Sequence, residues 1–496
     1  MKKIAIILAC LFLLGLLGAC NQGDNSTSPG ASTAPSPSGG QSSSPAASAA
    51  PTPEAPVDTG PPPPDMEGYV FRIGDSAKNP WDPDPETETS ALADAVRERM
   101  RAVEERLNCT IEWVELEPLG IFDTLLAKYM SGDTYVDVFS CTVWNGGKFI
   151  KSGILEALSD LPQIDLTGDW WEHSMTETGT FAGKVYMTSP VLNRNFTRSW
   201  VFAFNKQIVR DLRLEDPYEL WRTGKWTWEK YRELAAQATA NLTGGATMGW
   251  DDRWGLCPVD PFGDFSVALY QSSGLNMCLS NPDGTITYNM TDPRAVGVLD
   301  GMYEILRTDG TAALRSDTDL ATIWVRTFVK GNALFYAYML EGMTALENTH
   351  NMEDDWGIIP FPKGAYANDY ICGLDHNAKI MGMLSGNPNI DKAAVIFNEI
   401  AKESRAETEI YFENMADRIF RDDESLEVAR AISGYMKNDP AALYWQAVRV
   451  DDIAVLWYST RQIFSECLML DNYEPATMIE ENKERVAAAI EDFFSR

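Results

Sequence analysis

An α/β fold behind an exported N-terminus is the class this sequence predicts, and three observations lead there. From Tyr69 onward, short β-branched and aromatic runs alternate with helix-periodic segments, as strands and helices do in α/β domains. Ahead of them, Asn21 to about Asp65 is Ser, Pro, Ala, Gly and Thr with hardly any large apolar side chain. Ahead of that, Met1–Cys20 has the charged, apolar and small-residue regions of a secretory signal.

The signal reads as Lys2 and Lys3, then a nearly continuous apolar run from Ile4 to Leu17, then Leu17-Gly18-Ala19-Cys20. The run is shorter than the ~20 residues of a spanning helix. Its last four residues resemble a bacterial lipoprotein lipobox. That resemblance implies removal of residues 1–19 and a diacylglyceryl anchor on the Cys20 sulfur; an ordinary cleaved signal with an incidental Cys20 is the alternative. Residues 20–65 bury too little to offset the entropy of ordering, so a disordered tether is expected. Pro61-Pro62-Pro63-Pro64 stiffens its end.

The body starts near Met66. About 430 residues remain, enough for two or three domains. Tyr69–Ile73 reads as a strand, followed by the polar loop Asn79–Pro85. Leu92, Val96, Met100, Val103 and Leu107 recur at spacings of four and three, which predicts a helix from about Ser90, with Ser90 or Thr89 as its cap. Thr110–Leu116 reads as a strand, Gly120–Met130 as an amphipathic helix and Val136–Cys141 as a strand. Thr142–Gly147 reads as a loop and Lys148–Ser152 as the start of a helix. Such alternation predicts parallel α/β units, whose ligands bind beyond the carboxyl ends of strands. The loops holding Trp81 and Trp144 lie there. Further on, Asn281-Pro282-Asp283-Gly284 before Thr285–Tyr288 is a hairpin signal, and 390–402 and 479–494 are helix-periodic.

The net charge is −31. An acidic surface repels nucleic acid and anionic lipid heads, so neither is expected as a partner. Of eight cysteines, six remain once Cys10 is removed and Cys20 is lipidated: Cys109, Cys141, Cys257, Cys278, Cys372 and Cys467. Buried thiols and bridges are both open, with Cys257–Cys278 the one candidate pair. No Cys/His cluster has metal spacing, and no motif calls for a cofactor. Asp82-Pro83-Asp84-Pro85-Glu86 could hold Ca²⁺ but lacks the glycine of an EF-hand loop.

Several pieces then agree in order. Gly183-Lys-Val-Tyr-Met-Thr-Ser-Pro190 with Trp200-Val-Phe-Ala-Phe-Asn-Lys206 resembles the "GKxYxxP … hhhYNK" segment of the family 1 extracellular solute-binding proteins of ABC importers. Gly132-Asp133 with Asp137-Val138 resembles "GDxPDV", and Trp226-Thr-Trp-Glu-Lys-Tyr231 resembles "TWdEl". Phe328-Val-Lys-Gly-Asn-Ala333 resembles "FxxGkaAM", and Trp356-Gly-Ile-Ile-Pro-Phe-Pro362 resembles "wgvxPlP". Phe204, Thr134-Tyr135 and Asn332 depart from those patterns. The resemblance implies a two-lobe periplasmic-binding-protein-like α/β fold with three hinge crossings and a central cleft. The crossings are expected just after Lys206, near Gly364–Cys372 and near Asn414–Arg421. One lobe would then be 66–207 plus 370–415, the other 208–365 plus 416–496. It also implies the partners: a small solute, an oligosaccharide first, and the transmembrane subunits of a permease. The membrane is met through Cys20, and the chain is read as a monomer.

Aromatic side chains in loops carry the functional signal, because a flat ring covers the C–H face of a sugar at small entropy cost. The expected ligand contacts are Trp81, Asp82, Thr142 and Trp144 at the strand ends and Trp254 and Phe262 in a loop-rich acidic stretch; the family resemblance implies two more, Tyr338 just after the Phe328–Ala333 segment and Trp457 in the C-terminal helical region. Trp170, Trp171, Trp226 and Trp228 are assigned to packing. No catalytic residue is assigned: there are three histidines and no HExxH, GxSxG or P-loop. A glycosidase needs only two carboxylates at a fixed distance, so that reading stays open, as does a binding protein serving a sensor kinase.

Overall fold

The computed structural model describes residues 63–76, 91–117, 120–133, 135–257, 264–313, 325–345, 352–469 and 473–495. The predicted signal, Cys20, nearly all of the tether, Trp81, Asp82 and Phe262 lie outside these residues. Among the described residues no helix is long and apolar enough to cross a membrane.

Two sheets organise the chain. The first has β1 (Tyr69–Asp75), β2 (Cys109–Glu115), β3 (Val138–Thr142), β4 (Met187–Thr188) and, far along the sequence, Lys379–Met383. The order is β2, β1, β3, Lys379–Met383, β4. The β1 pairings with β2 and β3 are parallel, while Lys379–Met383 runs antiparallel to β3. Helix α1 (Ala91–Leu107) buries Val96, Val103 and Leu107 as its spacing predicts. These pack with Phe71, Ile73 and Met381 and with Ala393 and Phe397 of the helix Ile390–Glu403. The second sheet has β5 (Trp200–Asn205), β6 (Trp254–Leu256), β7 (Ala333–Met339) and β8 (Trp356–Ile359), in the order β8, β5, β7, β6. Only β6–β7 is parallel there, so the expected all-parallel units give way to two mixed sheets. In chain order the short strand Cys372–Gly373 is β9, which pairs in parallel with Met436–Lys437 outside both sheets, and Lys379–Met383 is β10.

The first crossing moves upstream of its expected place. It was expected after Lys206, but β5 is the central strand of the second sheet, paired on both sides. The chain therefore leaves the first sheet after Thr188 and crosses through 189–199. All six residues of β5 are buried, which a strand at the middle of a covered sheet requires. The second crossing runs from the end of β8 to β10. The two touch where Ser199 bridges Leu374 and the Asp375 amide donates to the Arg198 carbonyl at 3.0 Å. Helix α5 (Arg405–Arg418) lies against the first crossing through Phe196–Phe412, with centroids 5.1 Å apart. It is held to α1 by the buried Arg99–Glu407 pair at 2.8 Å.

One predicted loop is a helix. Thr142–Gly147 becomes the first turns of α3 (Val143–Ser152), with Trp144 at its start. Its two glycines read as breakers, but they are where the segment 442–444 lies directly on the helix backbone. A Cβ on Gly147 would sit 2.7 Å from the Leu443 carbonyl oxygen, and one on Gly146 2.5 Å from Leu443 Cδ1. Close approach, not chain reversal, is the reason for Gly here. The hairpin at Asn281–Gly284 forms as read, with Cys278–Ser280 antiparallel to Ile286–Tyr288.

Cys257 and Cys278 do not pair. Both are buried free thiols, as are Cys109, Cys141 and Cys372. Burial pushes the Cys257 and Cys141 thiols up to about 12, which leaves them unreactive. Trp171, Trp226 and Trp228 are buried core residues, and the Trp226 indole donates to the Pro360 carbonyl at 2.8 Å.

Candidate functional site

Strand ends of the first sheet build one wall. Thr142 closes β3 and precedes α3, so its neighbour Trp144 leaves the sheet at the carboxyl edge. Register pairs Thr142 with Lys379, the first residue of β10. That sets 375–378 beside the start of α3, and the Val143 amide donates to the Ala378 carbonyl at 2.8 Å. Asp75 ends β1 at the same edge. Its carboxylate is 1 % exposed and accepts from Lys379 Nζ at 3.0 Å, and Lys379 also reaches Ser76 Oγ at 3.2 Å. Thr142 Oγ1 accepts from Asn145 Nδ2 at 2.9 Å.

Rings gather on this edge. His376 lies 4.4 Å from Trp144 between centroids, and Trp457 lies 6.0 Å from Trp144 and 5.4 Å from His376. Trp457 comes from the first turn of α6 (Val455–Met469). It is 5 % exposed, closed in also by Trp445 at 4.5 Å and by the Arg461 guanidinium 4.4 Å over its ring. The indole of Trp457 thus supports its neighbours, while Trp144 and His376 are half-buried and keep open surface.

The second sheet supplies the facing groups. Ser199, just before β5, accepts from the Leu340 amide at 3.0 Å, which brings the end of β7 to the crossings. Arg198 pairs with Glu341 at 2.8 Å and reaches Asp375 at 3.7 Å, and Asp375 stands 3.5 Å from His376 Nδ1. Tyr338, near the end of β7, is half-buried between Trp200 at 5.6 Å and Tyr336 at 5.9 Å. Burial first, then Asp375 and Glu341, push its phenol above its ordinary value, so it stays a neutral donor at pH 7.

Of the expected contacts, Thr142, Trp144 and Trp457 meet at one place, and Tyr338 joins them through the Asp375–Arg198–Glu341 chain. Trp254 does not. It pairs with Ala333 at the start of β7, the far end of that strand from Tyr338, and its indole donates to the Gly249 carbonyl at 2.9 Å. Sequence reasoning missed His376, Asp375, Arg198, Lys379 and Arg461. Nothing near His376 in the sequence marks it as a site residue; Arg461 was findable, four residues after Trp457 on one helix face. Among the described residues no group of His, Cys, Asp and Glu is placed to hold a metal ion.

A separate cavity lies against the first crossing. It has a volume of about 670 Å³ and is lined by Trp171, Glu172, Phe196, Phe412, Met436 and Lys437, among others. Its buried carboxylate is already satisfied: Glu172 accepts from Asn195 N at 2.8 Å and Asn195 Nδ2 at 2.6 Å. Burial pushes Glu172 up to about 7 against those hydrogen bonds. The same Asn195 amide donates to the Lys379 carbonyl at 2.8 Å and accepts from the Lys379 amide at 2.8 Å. This is a lock on the crossing rather than an open set of donors.

Two mixed α/β sheets joined by crossing segments, with rings and ion pairs where they meet, define the two-lobe fold of periplasmic binding proteins. Solved structures with that fold cover most of this chain. UspC of Mycobacterium tuberculosis matches at 15% identity over 85% of this chain and 100% of its own, with a TM-score of 0.59. The sugar-binding protein MalE of Xanthomonas citri matches at 13% identity over 86% and 98%, with a TM-score of 0.57. The cyclic alpha-maltosyl-1,6-maltose binding protein of Arthrobacter globiformis matches at 13% identity over 86% and 100%, also with a TM-score of 0.57. No protein-family model matches the sequence, and no curated protein matches it by sequence.

Proposed function

We propose that this chain is a family 1 solute-binding lipoprotein of an ABC importer. It captures a sugar or oligosaccharide between its lobes outside the cytoplasm and delivers it to a membrane permease. The observation that carries the reading is the half-buried Trp144 ring at the carboxyl edge of the first sheet, beside the crossing segments, with His376 lying over it. An indole at that point suits the C–H face of a sugar. Thr142, Tyr338 and the Arg198–Asp375 pair suit its hydroxyls, and Trp457 holds Trp144 in place. Trp81 and Asp82 follow Ser76 on from this edge and are proposed as further contacts. The fold neighbours include proteins described as binding sugars.

Contacts from both lobes favour the closed form, so binding drives closure. The closed form then docks on the permease. Cys20 anchors the tether, and no chemical step is assigned to the chain. The test is an oligosaccharide panel read for both heat and new reducing ends. Heat without products supports the receptor; turnover supports a glycosidase and overturns it. Loss of membrane retention in Cys20→Ala tests the anchor.

A further inference from the structure

His376 stands on the ring that the proposed ligand would use. Its centroid is 4.4 Å from Trp144 and 5.4 Å from Trp457, its side chain is 21% exposed, and Asp375 lies 3.5 Å from Nδ1. Asn377 Nδ2 is 3.2 Å from Nε2. We infer that His376 is a specificity-determining residue that competes with the solute for the Trp144 face, so that protonating its imidazole weakens binding. The inference rests on the functional reading above.

The physical argument is local. A neutral imidazole holds Trp144 by weak ring contacts and can swing aside for a sugar ring. An imidazolium gains a cation–π interaction with two indoles and a charge pair with Asp375. Charged groups approach it from several packed elements. Asp375 precedes it on the crossing, and Arg198 of the first crossing shares Asp375 at 3.7 Å. From the end of β7, Glu341 engages Arg198 at 2.8 Å. Arg461 of α6 lies over Trp457 on the cluster's other flank. From β10, Lys379 is drawn away to Asp75 at 3.0 Å. Of these carboxylates Asp375 stands closest, at 3.5 Å from Nδ1.

The experiment measures calorimetric affinity for a sugar from the panel between pH 8 and pH 5.5, in the full chain and in His376→Gln and His376→Ala. In the wild type, affinity should fall about threefold to tenfold as the imidazole protonates. Both variants should bind at least as tightly at pH 5.5 and lose the slope. Proton NMR of the imidazoles follows the titration without ligand, and only three histidines need assigning. A resonance shifted upfield by the indole rings and absent from both variants is expected. Binding with the same affinity and slope in wild type and variants overturns this inference and leaves the functional reading standing. No sugar bound by the wild type at any pH overturns both.

Discussion

The cluster around Trp144 and the cavity around Glu172 both rest on the crossing segments, and they differ in what their polar groups do. Around Trp144 two rings are half-exposed and the polar groups of Arg198, Asp375 and His376 come from the crossing segments. Around Glu172 a cavity of about 670 Å³ opens, yet the buried carboxylate is spent on Asn195. Volume marks where packing is imperfect. Half-exposed rings with converging polar groups mark where a solute can be recognised. The first region is read as a binding surface and the second as a structural lock.

The largest effect that can break this contrast is at Trp457. Being 5 % exposed, its truncation to Ala should cost roughly 3–5 kcal/mol of stability, read as a clear fall in thermal unfolding before any ligand is added. An unchanged melting point would mean that it is no support. Next comes Glu172. Burial raises it from 4.5 to about 7, so the unfolded chain ionises first as pH rises. Its contribution to stability therefore falls between about pH 4.5 and 7, by on the order of 3 kcal/mol. Asp439, buried and pushed up to about 7, adds a fall of the same sign. Denaturant melts at pH 5 and 7.5 should show the loss, and Glu172→Gln should halve it while leaving sugar affinity alone. An affinity change in that variant would make the cavity part of the site.

Trp144→Ala should weaken sugar binding about tenfold, in line with ~0.5–1.5 kcal/mol per ring beyond area burial, and move the ligand-free melting point little. Collapse of the free protein would make it a core residue. The smallest effect is expected of Trp254→Ala, which lies at the other end of β7 and should leave calorimetric affinity within about twofold, well under the ~1.4 kcal/mol that a tenfold change represents.

Much of the fold was legible, because burial imposes periodicity on residues close in sequence. Val96, Val103 and Leu107 had to share a helix face. What failed needed a partner from afar. Gly146 and Gly147 read as a loop, since nothing nearby says that Leu443 will lie against them. Strand β5 was assigned to the wrong sheet because a buried strand reads the same in either one. Trp144 and Trp457 were expected at one cleft, but nothing in the sequence sets their rings in contact; His376 was passed over because its role depends on them.

By itself the sequence determined the local elements and their apolar faces, the signal-like start and the acidic surface, since each follows from residues within a turn or two of one another. Only the tertiary structure decided which strands share a sheet and that Trp144, His376 and Trp457 form one cluster while Trp254 stands apart. Those pairings are set by hydrogen-bond register and close packing between segments hundreds of residues apart in the chain, and no short stretch of sequence carries that information.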